Sequence, residues 1–245
     1  MKAVLGVAIA MTLVSVSVAN AEKPVEAQAG DLLPIFNIGF FPKALSKTEP
    51  TPIALHVSGN IGSNDGSLPP LLREFDLEAD RNVAVDVTGV PVCGWARLQS
   101  RSTIQAKKSC EDSIVGKGEA TVVAAYPENE PIPLTSELLI FNGGFRDGVT
   151  TLFIHAYFTV PTPRAAVATV KIKTVHNGRF GNRSVASIPA IIEGEGHLTS
   201  FDLTINKGIL TAKCPDDRLK SHSEAIFDDG SIISEDAVRT CTPKA

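Results

Sequence analysis

The sequence predicts an all-β protein, an antiparallel sandwich or barrel built from consecutive hairpins, with one short helix between Cys93 and Cys110. Segments of about ten residues alternate apolar and polar side chains, which is the period of a strand with one buried face. Glycine turns such as Asn142-Gly143-Gly144 and Asn177-Gly178 separate these segments, and Asn-Gly favours the tight turn of a hairpin. With 43% apolar and 20% charged residues, the 245-residue chain can also build a packed core.

The first 21 residues have the layout of a secretory signal peptide. Lys2 precedes an apolar run over residues 3–18, and the small-residue site Ala19-Asn20-Ala21 follows it. This order of a basic start, a short apolar stretch and a cleavage site is typical of an export signal rather than a membrane span. We therefore expect a secreted or extracytoplasmic protein, soluble after cleavage near Ala21, with no transmembrane segment in the mature chain.

Residues 22–52 are interpreted as an N-terminal arm or linker that leads into a single all-β domain over residues 53–245. The apolar patch Leu32–Phe41 interrupts this lead-in, and Pro34 and Gly39 disfavour a helix there. One interpretation is an arm docked along the domain. The other is an exposed segment that contacts a partner or a surface, since large exposed apolar patches usually have a function.

From residue 53 onward the pattern is strand, turn, strand. Around the Arg81-Asn82 turn, the strand over 73–80 and the valines at 83, 85 and 87 predict a hairpin. The predicted strands cover residues 53–57, 73–80, 83–87, 114–126, 134–141, 150–160, 165–176, 184–192, 197–205, 209–214, 220–227 and 231–238.

The four cysteines predict two disulfides in an exported protein. Three connectivities are open; we favour Cys93–Cys110 and Cys214–Cys241 because each pair is close in sequence. Metal binding is the competing use, but the spacings contain no Cys-x-x-Cys and fit no zinc module. Residues 97–109 lack strand alternation, and this stretch is the predicted short helix.

Two stretches resemble an uncharacterised group of secreted, β-rich, disulfide-containing bacterial proteins. The first runs from Val90-Pro91-Val92-Cys93 through Cys110 to Ile114–Ala120, and the second joins Phe141-Asn142-Gly143-Gly144 to Thr151–Tyr157. The resemblance covers about Pro52 to Cys214. It implies secretion and a β fold, and it brings no activity and no site residues.

A row of acidic residues on one predicted strand is the first candidate site. The carboxylates of Glu74, Asp76, Glu78 and Asp80 alternate along the strand and therefore point to one face, opposite Phe75. Such a row is a candidate site for a hard cation such as Ca²⁺, which requires six to eight oxygen ligands. A solvated sheet face, charge-matched by Lys171 and Lys173 on a neighbouring strand, is the competing interpretation.

Phe153, His155 and Tyr157 share one face of another predicted strand and are the candidate ligand-facing residues. We expect an apolar or carbohydrate ligand to be marked by an enclosed pocket lined by residues such as Phe141, Phe153, Tyr157 and Phe158. The five histidines lie on different predicted strands, so an acid–base site would require one of them to meet a carboxylate in a cleft. No hydrolase signature is present in the sequence, and we expect no cofactor and no resident metal.

The formal charge of −4 and the absence of a basic stretch give the chain no electrostatic footprint for nucleic acid. The partner stays open, with the cell envelope or carbohydrate as candidates. The leading hypothesis is a secreted, non-enzymatic β-domain protein that acts through its surface in the envelope or outside the cell. One alternative is a carrier or binding protein for an apolar or carbohydrate ligand; the other is a β-scaffold hydrolase or lyase with a His–carboxylate pair.

Overall fold

A computed structural model of the protein describes residues 25–26, 31–206 and 208–244. The predicted signal peptide over residues 1–21 lies outside the described residues. No helix in the described part of the chain is long and apolar enough to cross a membrane. The strands are β1 (Val25–Glu26), β2 (Leu32–Phe41), β3 (Ala44–Ser46), β4 (Thr51–Pro52), β5 (Ala54–Ser63), β6 (Leu72–Asp80), β7 (Val83–Val85), β8 (Ile114–Ala124), β9 (Ile132–Arg146), β10 (Val149–Phe158), β11 (Arg164–Asn177), β12 (Phe180–Ser187), β13 (Gly196–Ile205), β14 (Leu210–Ala212), β15 (Arg218–Phe227), β16 (Ile232–Thr240) and β17 (Thr242–Lys244).

Twelve of these strands form one nearly closed, barrel-like sheet, in the order β1-β2-β5-β13-β8-β9-β10-β11-β12-β6-β15-β16. All neighbours in this sheet are antiparallel. The run from β8 to β12 and the β15–β16 pair are consecutive hairpins. The prediction of an all-β antiparallel fold is confirmed, and between sandwich and barrel the structure selects the barrel.

The segment expected to be an N-terminal arm is instead part of the barrel wall. Strand β2 pairs with β5 along all of its ten residues, from Leu32↔Ser63 to Phe41↔Ala54. Leu32, Phe36 and Ile38 are buried because alternate side chains of a strand point to the same face, here the core. One half of the apolar patch is therefore the inner face of a strand, whereas Leu33, Ile35 and Phe41 are exposed.

The predicted hairpin between residues 73–80 and 83–87 does not form. Strand β6 pairs with β12 on one edge and with β15 on the other. A strand has only two edges for backbone hydrogen bonds, so β7 has no place beside β6. It pairs with β14 instead, in a small sheet of order β4-β14-β7.

One end of the barrel, which we call the plug end, is filled by this small sheet. Here Leu210 is buried in the same cluster as Val87 and Ile209. Beside it the barrel is joined along a seam: β3 and β17 pair in parallel, and the Nε of Arg239 on β16 donates a hydrogen bond to the carbonyl oxygen of Ile38 on β2.

At the opposite end, which we call the rim, the chain between β12 and β13 crosses the barrel opening. This rim segment, residues 188–195, includes a 3₁₀ turn over Ile191–Gly194. Ile192 is buried there with a positive φ of 50°, a conformation that is strained for a β-branched residue. The rim segment is thus held by apolar packing against the barrel interior.

A short helix lies on the outside of the wall, as the sequence predicted. Helix α1 (Thr103–Cys110) begins at a capping box in which the Ser102 and Gln105 side chains each bond the other's backbone N–H. Both favoured disulfides, Cys93–Cys110 and Cys214–Cys241, are present. The first ties the helix to the chain that precedes it, and Ala106 is buried with Phe141 of β9.

Candidate functional site

The barrel interior contains a cavity of about 220 Å³ that extends from the plug end to the rim. Its lining includes Leu210 of the small sheet at one end and Pro189 of the rim segment at the other. Asn182 and Ser184 are the only polar residues among those that line it. Nδ2 of Asn182 already donates to the carbonyl oxygen of Val83, 2.6 Å away. The cavity is therefore an apolar chamber.

Small side chains create this space near the rim. Along β11 the inward-facing residues are Ala166, Ala168, Val170 and Ile172, so the side chains grow from the rim towards the plug. Ile154 on β10 and Val170 on β11 also point inward and are only half-buried, because they border the chamber as well as packing against the core. Larger side chains at positions 166 and 168 would fill part of the chamber.

The candidate ligand-facing residues Phe153, His155 and Tyr157 lie on the opposite face of β10 from the cavity. The alternate residues of that strand, among them Ala156 and Phe158, line the chamber. Phe153 packs with the cluster beneath α1, as does Phe141. Of the four residues expected to mark an enclosed pocket, Phe158 alone is among those that line the chamber.

His155 is fully buried between the barrel wall and the helical segment. Its Nε2 lies 2.9 Å from the carbonyl oxygen of Arg101, so this nitrogen carries the hydrogen and donates it. Nδ1 is buried and has no hydrogen-bond partner. Burial lowers the pKa of His155, because the charged ring would lose its hydration. The residue fastens the segment before α1 to the wall.

Tyr157 lines a second space, an open groove of about 510 Å³ on the outside of the barrel near the rim. Trp95 lines the groove on the side of the helical segment and is 45% exposed. On the side of the rim, Arg164 begins β11, and its guanidinium lies 2.5 Å from Oε1 of Glu193. The groove and the chamber share two lining residues, Ala166 and Pro189.

The acidic row on β6 faces outward, opposite Phe75, as the alternation predicted. Oδ2 of Asp76 accepts a hydrogen bond from Nε of Arg183 at 2.6 Å. The carboxylate of Asp80 is fully buried and accepts four hydrogen bonds, including one from Nε of Arg179 at 2.6 Å.

Each of the two buried carboxylates of this row, those of Asp76 and Asp80, therefore accepts a hydrogen bond from an arginine. Among the described residues, no group of three or more His, Cys, Asp or Glu side chains is placed to hold a metal ion. The geometry fits the charge-matched interpretation of the row, with arginines from β12 and its preceding turn as partners.

Two histidines meet carboxylates on the outer surface. Nδ1 of His222 lies 2.9 Å from Oδ1 of Asp236, and Nε2 of His56 lies 3.4 Å from Oδ2 of Asp202. The side chain of Asp236 is 82% exposed and that of Asp202 is 62% exposed. Neither pair lines the chamber or the groove.

Sequence reasoning missed the residues that shape the chamber. The signal was present as three alanines in the first five residues of β11, unusual in a strand because alanine has a low β propensity. Their meaning depends on which of them face inward, and that requires the register of the sheet.

No family model, no curated protein and no solved structure matches this chain. The resemblance to an uncharacterised group of secreted β-rich proteins therefore stays a prediction. The functional conclusion depends on the chamber, the groove and the side chains between them.

Proposed function

We propose that the protein binds a small apolar ligand inside the barrel and acts as a carrier or binding protein outside the cytoplasm. The observation that carries this proposal is the apolar chamber of about 220 Å³. Apolar cavities of about 150 Å³ stay dry and take up molecules such as benzene. A chamber of this size and lining has the same tendency for a somewhat larger apolar molecule.

The proposed location follows from the cysteines and the N-terminal pattern together. All four cysteines are paired, and disulfides persist mainly in oxidising compartments. The signal-like layout of residues 1–21 supports export in the same direction. We rank ligand binding above the surface-acting role because the chamber provides a defined place for a ligand.

A titration with the neutral apolar fluorophore N-phenyl-1-naphthylamine tests the proposal, followed by displacement with n-alkanols from six to fourteen carbons. We expect saturable binding with one site. Each added methylene should tighten alkanol binding by up to about fourfold until the chamber is full, because burying a CH₂ contributes about 0.8 kcal/mol. Affinity should then stop rising.

Ala168→Phe fills the chamber and is the decisive variant. We expect it to weaken fluorophore binding by at least about tenfold, with an unchanged or raised melting temperature because it occupies empty space. Thr169→Phe is the matched control, since Thr169 is the next residue of β11 and faces outward. Equal binding by the two variants, or no saturable binding by the wild type, would contradict the proposal.

A further inference from the structure

We infer that the ligand is a single-chain amphiphile with a negatively charged head group, whose chain enters the chamber through a side opening beside β11 and whose head group binds Arg164. This inference rests on the proposed function and names the chemical class of its ligand. Three features of the rim carry it: a gap in the strand ladder, a shared boundary between chamber and groove, and one cationic side chain at that boundary.

The gap lies between β11 and the rim segment. Strand β11 pairs with β10 from Arg164 onward, whereas its ladder with β12 begins only at Thr169↔Ser187. Residues 164–168 of β11 therefore extend past the end of β12. Beyond that end the chain stays with β6, because the N–H of Ile188 donates to the carbonyl oxygen of Arg73 at 2.9 Å.

The chamber and the groove meet at this gap. Ala166 and Pro189 stand on its two sides, and each lines both spaces. Both residues have short side chains, so the boundary between the two spaces is formed by small groups. A flexible chain of methylenes can occupy the chamber from this side while one end stays in the groove.

The groove differs from the chamber in chemistry. Trp95 and Tyr157 provide aromatic surface, and Gln99 and Ser100 add polar groups. Arg164 is the one charged residue among those that line the groove. An apolar chamber that adjoins a polar groove with a single cation is complementary to a molecule with an apolar chain and an anionic end.

Arg164 already holds a carboxylate in the structure. Its guanidinium lies 2.5 Å from Oε1 of Glu193, with 49% of the Arg164 side chain and 70% of the Glu193 side chain exposed. Exposed ion pairs of this kind contribute little stability, so a ligand carboxylate can replace Glu193. Arginine presents parallel N–H donors that match both oxygens of a carboxylate. Glu193 therefore marks the position of the ligand's head group.

The test compares decanoate with 1-decanol at pH 8, each displacing N-phenyl-1-naphthylamine. The two competitors share one chain and differ in the charge of the end group. We expect decanoate to bind about fivefold more tightly than decanol, and Arg164→Gln to abolish this difference. Glu193→Gln should tighten decanoate about twofold, because it removes the competing carboxylate.

Two further variants keep the result interpretable. Arg146→Gln removes an exposed arginine at the plug end and should leave the decanoate preference unchanged. Arg164→Lys should retain part of the preference, which separates loss of charge from loss of folding; circular dichroism confirms that each variant folds.

Equal binding of decanoate and decanol, or tighter binding of decyltrimethylammonium, would overturn the anionic head group while leaving apolar binding intact. If the fluorophore itself does not bind, the proposed function fails instead.

Discussion

Two histidines on the barrel wall respond to pH in opposite directions. Burial lowers the pKa of His155, because its ring is enclosed between β10 and the segment before α1. The hydrogen bond to Asp236, joined by a second to Glu224, raises the pKa of His222. Protonation of His155 therefore destabilises the folded state, whereas protonation of His222 stabilises it.

Linkage fixes the sign of each effect. The stability that neutral His155 contributes is fully present above its unfolded pKa of about 6.5 and is lost as the pH falls through its lower folded pKa. Relative to His155→Gln, the wild type should lose unfolding free energy between pH 7.5 and pH 5. Urea denaturation at a series of pH values measures this difference.

His222→Gln is the control with the opposite slope. The contribution of His222 is fully present below about pH 6.5 and is lost as the pH rises through its raised folded pKa. The difference in unfolding free energy between the wild type and His222→Gln should therefore decrease as the pH increases from 6 to 9. Parallel slopes for the two variants would contradict the opposite environments assigned to these residues.

Asp80 connects three parts of the wall through one carboxylate. It accepts from the backbone N–H and side chain of Asn82, from Arg179 and from the backbone N–H of Lys220. These groups belong to the turn after β6, the turn before β12 and strand β15. A buried acceptor with every partner in place is costly to alter, because each donor loses its partner without regaining water.

Asp80→Asn should lower the unfolding free energy by about 3 kcal/mol, because its amide N–H₂ would face the N–H groups of Arg179 and Lys220. Glu74→Gln on the same outward face of β6 should change it by less than about 0.5 kcal/mol. Urea midpoints at equal m-values give both numbers. A loss at Asp80 no larger than that at Glu74 would contradict the role of Asp80 as a buried junction.

At the scale of elements, the outer helical segment explains why the sequence could not show which face of β10 borders the chamber. Both faces of this strand carry apolar side chains, since Phe158 faces the chamber and Phe153 faces the cluster beneath α1. Alternation alone cannot separate two covered faces. The helix itself was predictable, because residues 97–109 break the strand pattern between two cysteines.

Removing the disulfide that anchors this helix tests its contribution. Cys93 and Cys110 are 17 residues apart, and a disulfide that closes a loop of this length stabilises the folded protein by about 3 kcal/mol. Cys93→Ser combined with Cys110→Ser should lower the unfolding free energy by about this amount. Because α1 lies on the outside of the barrel, fluorophore binding in the chamber should survive; loss of binding in a folded double variant would contradict that separation.

For the whole molecule, most strands after residue 53 and the hairpin at Asn177-Gly178 were predictable, whereas β2 and the pairings between distant strands were not. The alternation of β10 and β11 and the Asn177-Gly178 turn predicted these strands and their local hairpins, because hairpins depend on adjacent residues. The pairing of β5 with β13 and of β6 with β15 joins distant parts of the chain, and nothing local encodes it. The chamber was hidden for the same reason: inward alanines create a void only once the sheet curls round them.

The seam between β2 and β16 sets the order in which the molecule can be completed. The hydrogen bond from Arg239 to Ile38 joins residues that are 201 positions apart. Strand β3 can pair only after β17, the last of the described strands in chain order, has been synthesised. The outer edge of β2 pairs only with the two residues of β1, so most of this edge stays open until the seam forms, and open strand edges invite pairing with other chains. A chain in which β16 and β17 have not yet folded is therefore an open sheet, and it could enclose the proposed ligand only after the seam has formed.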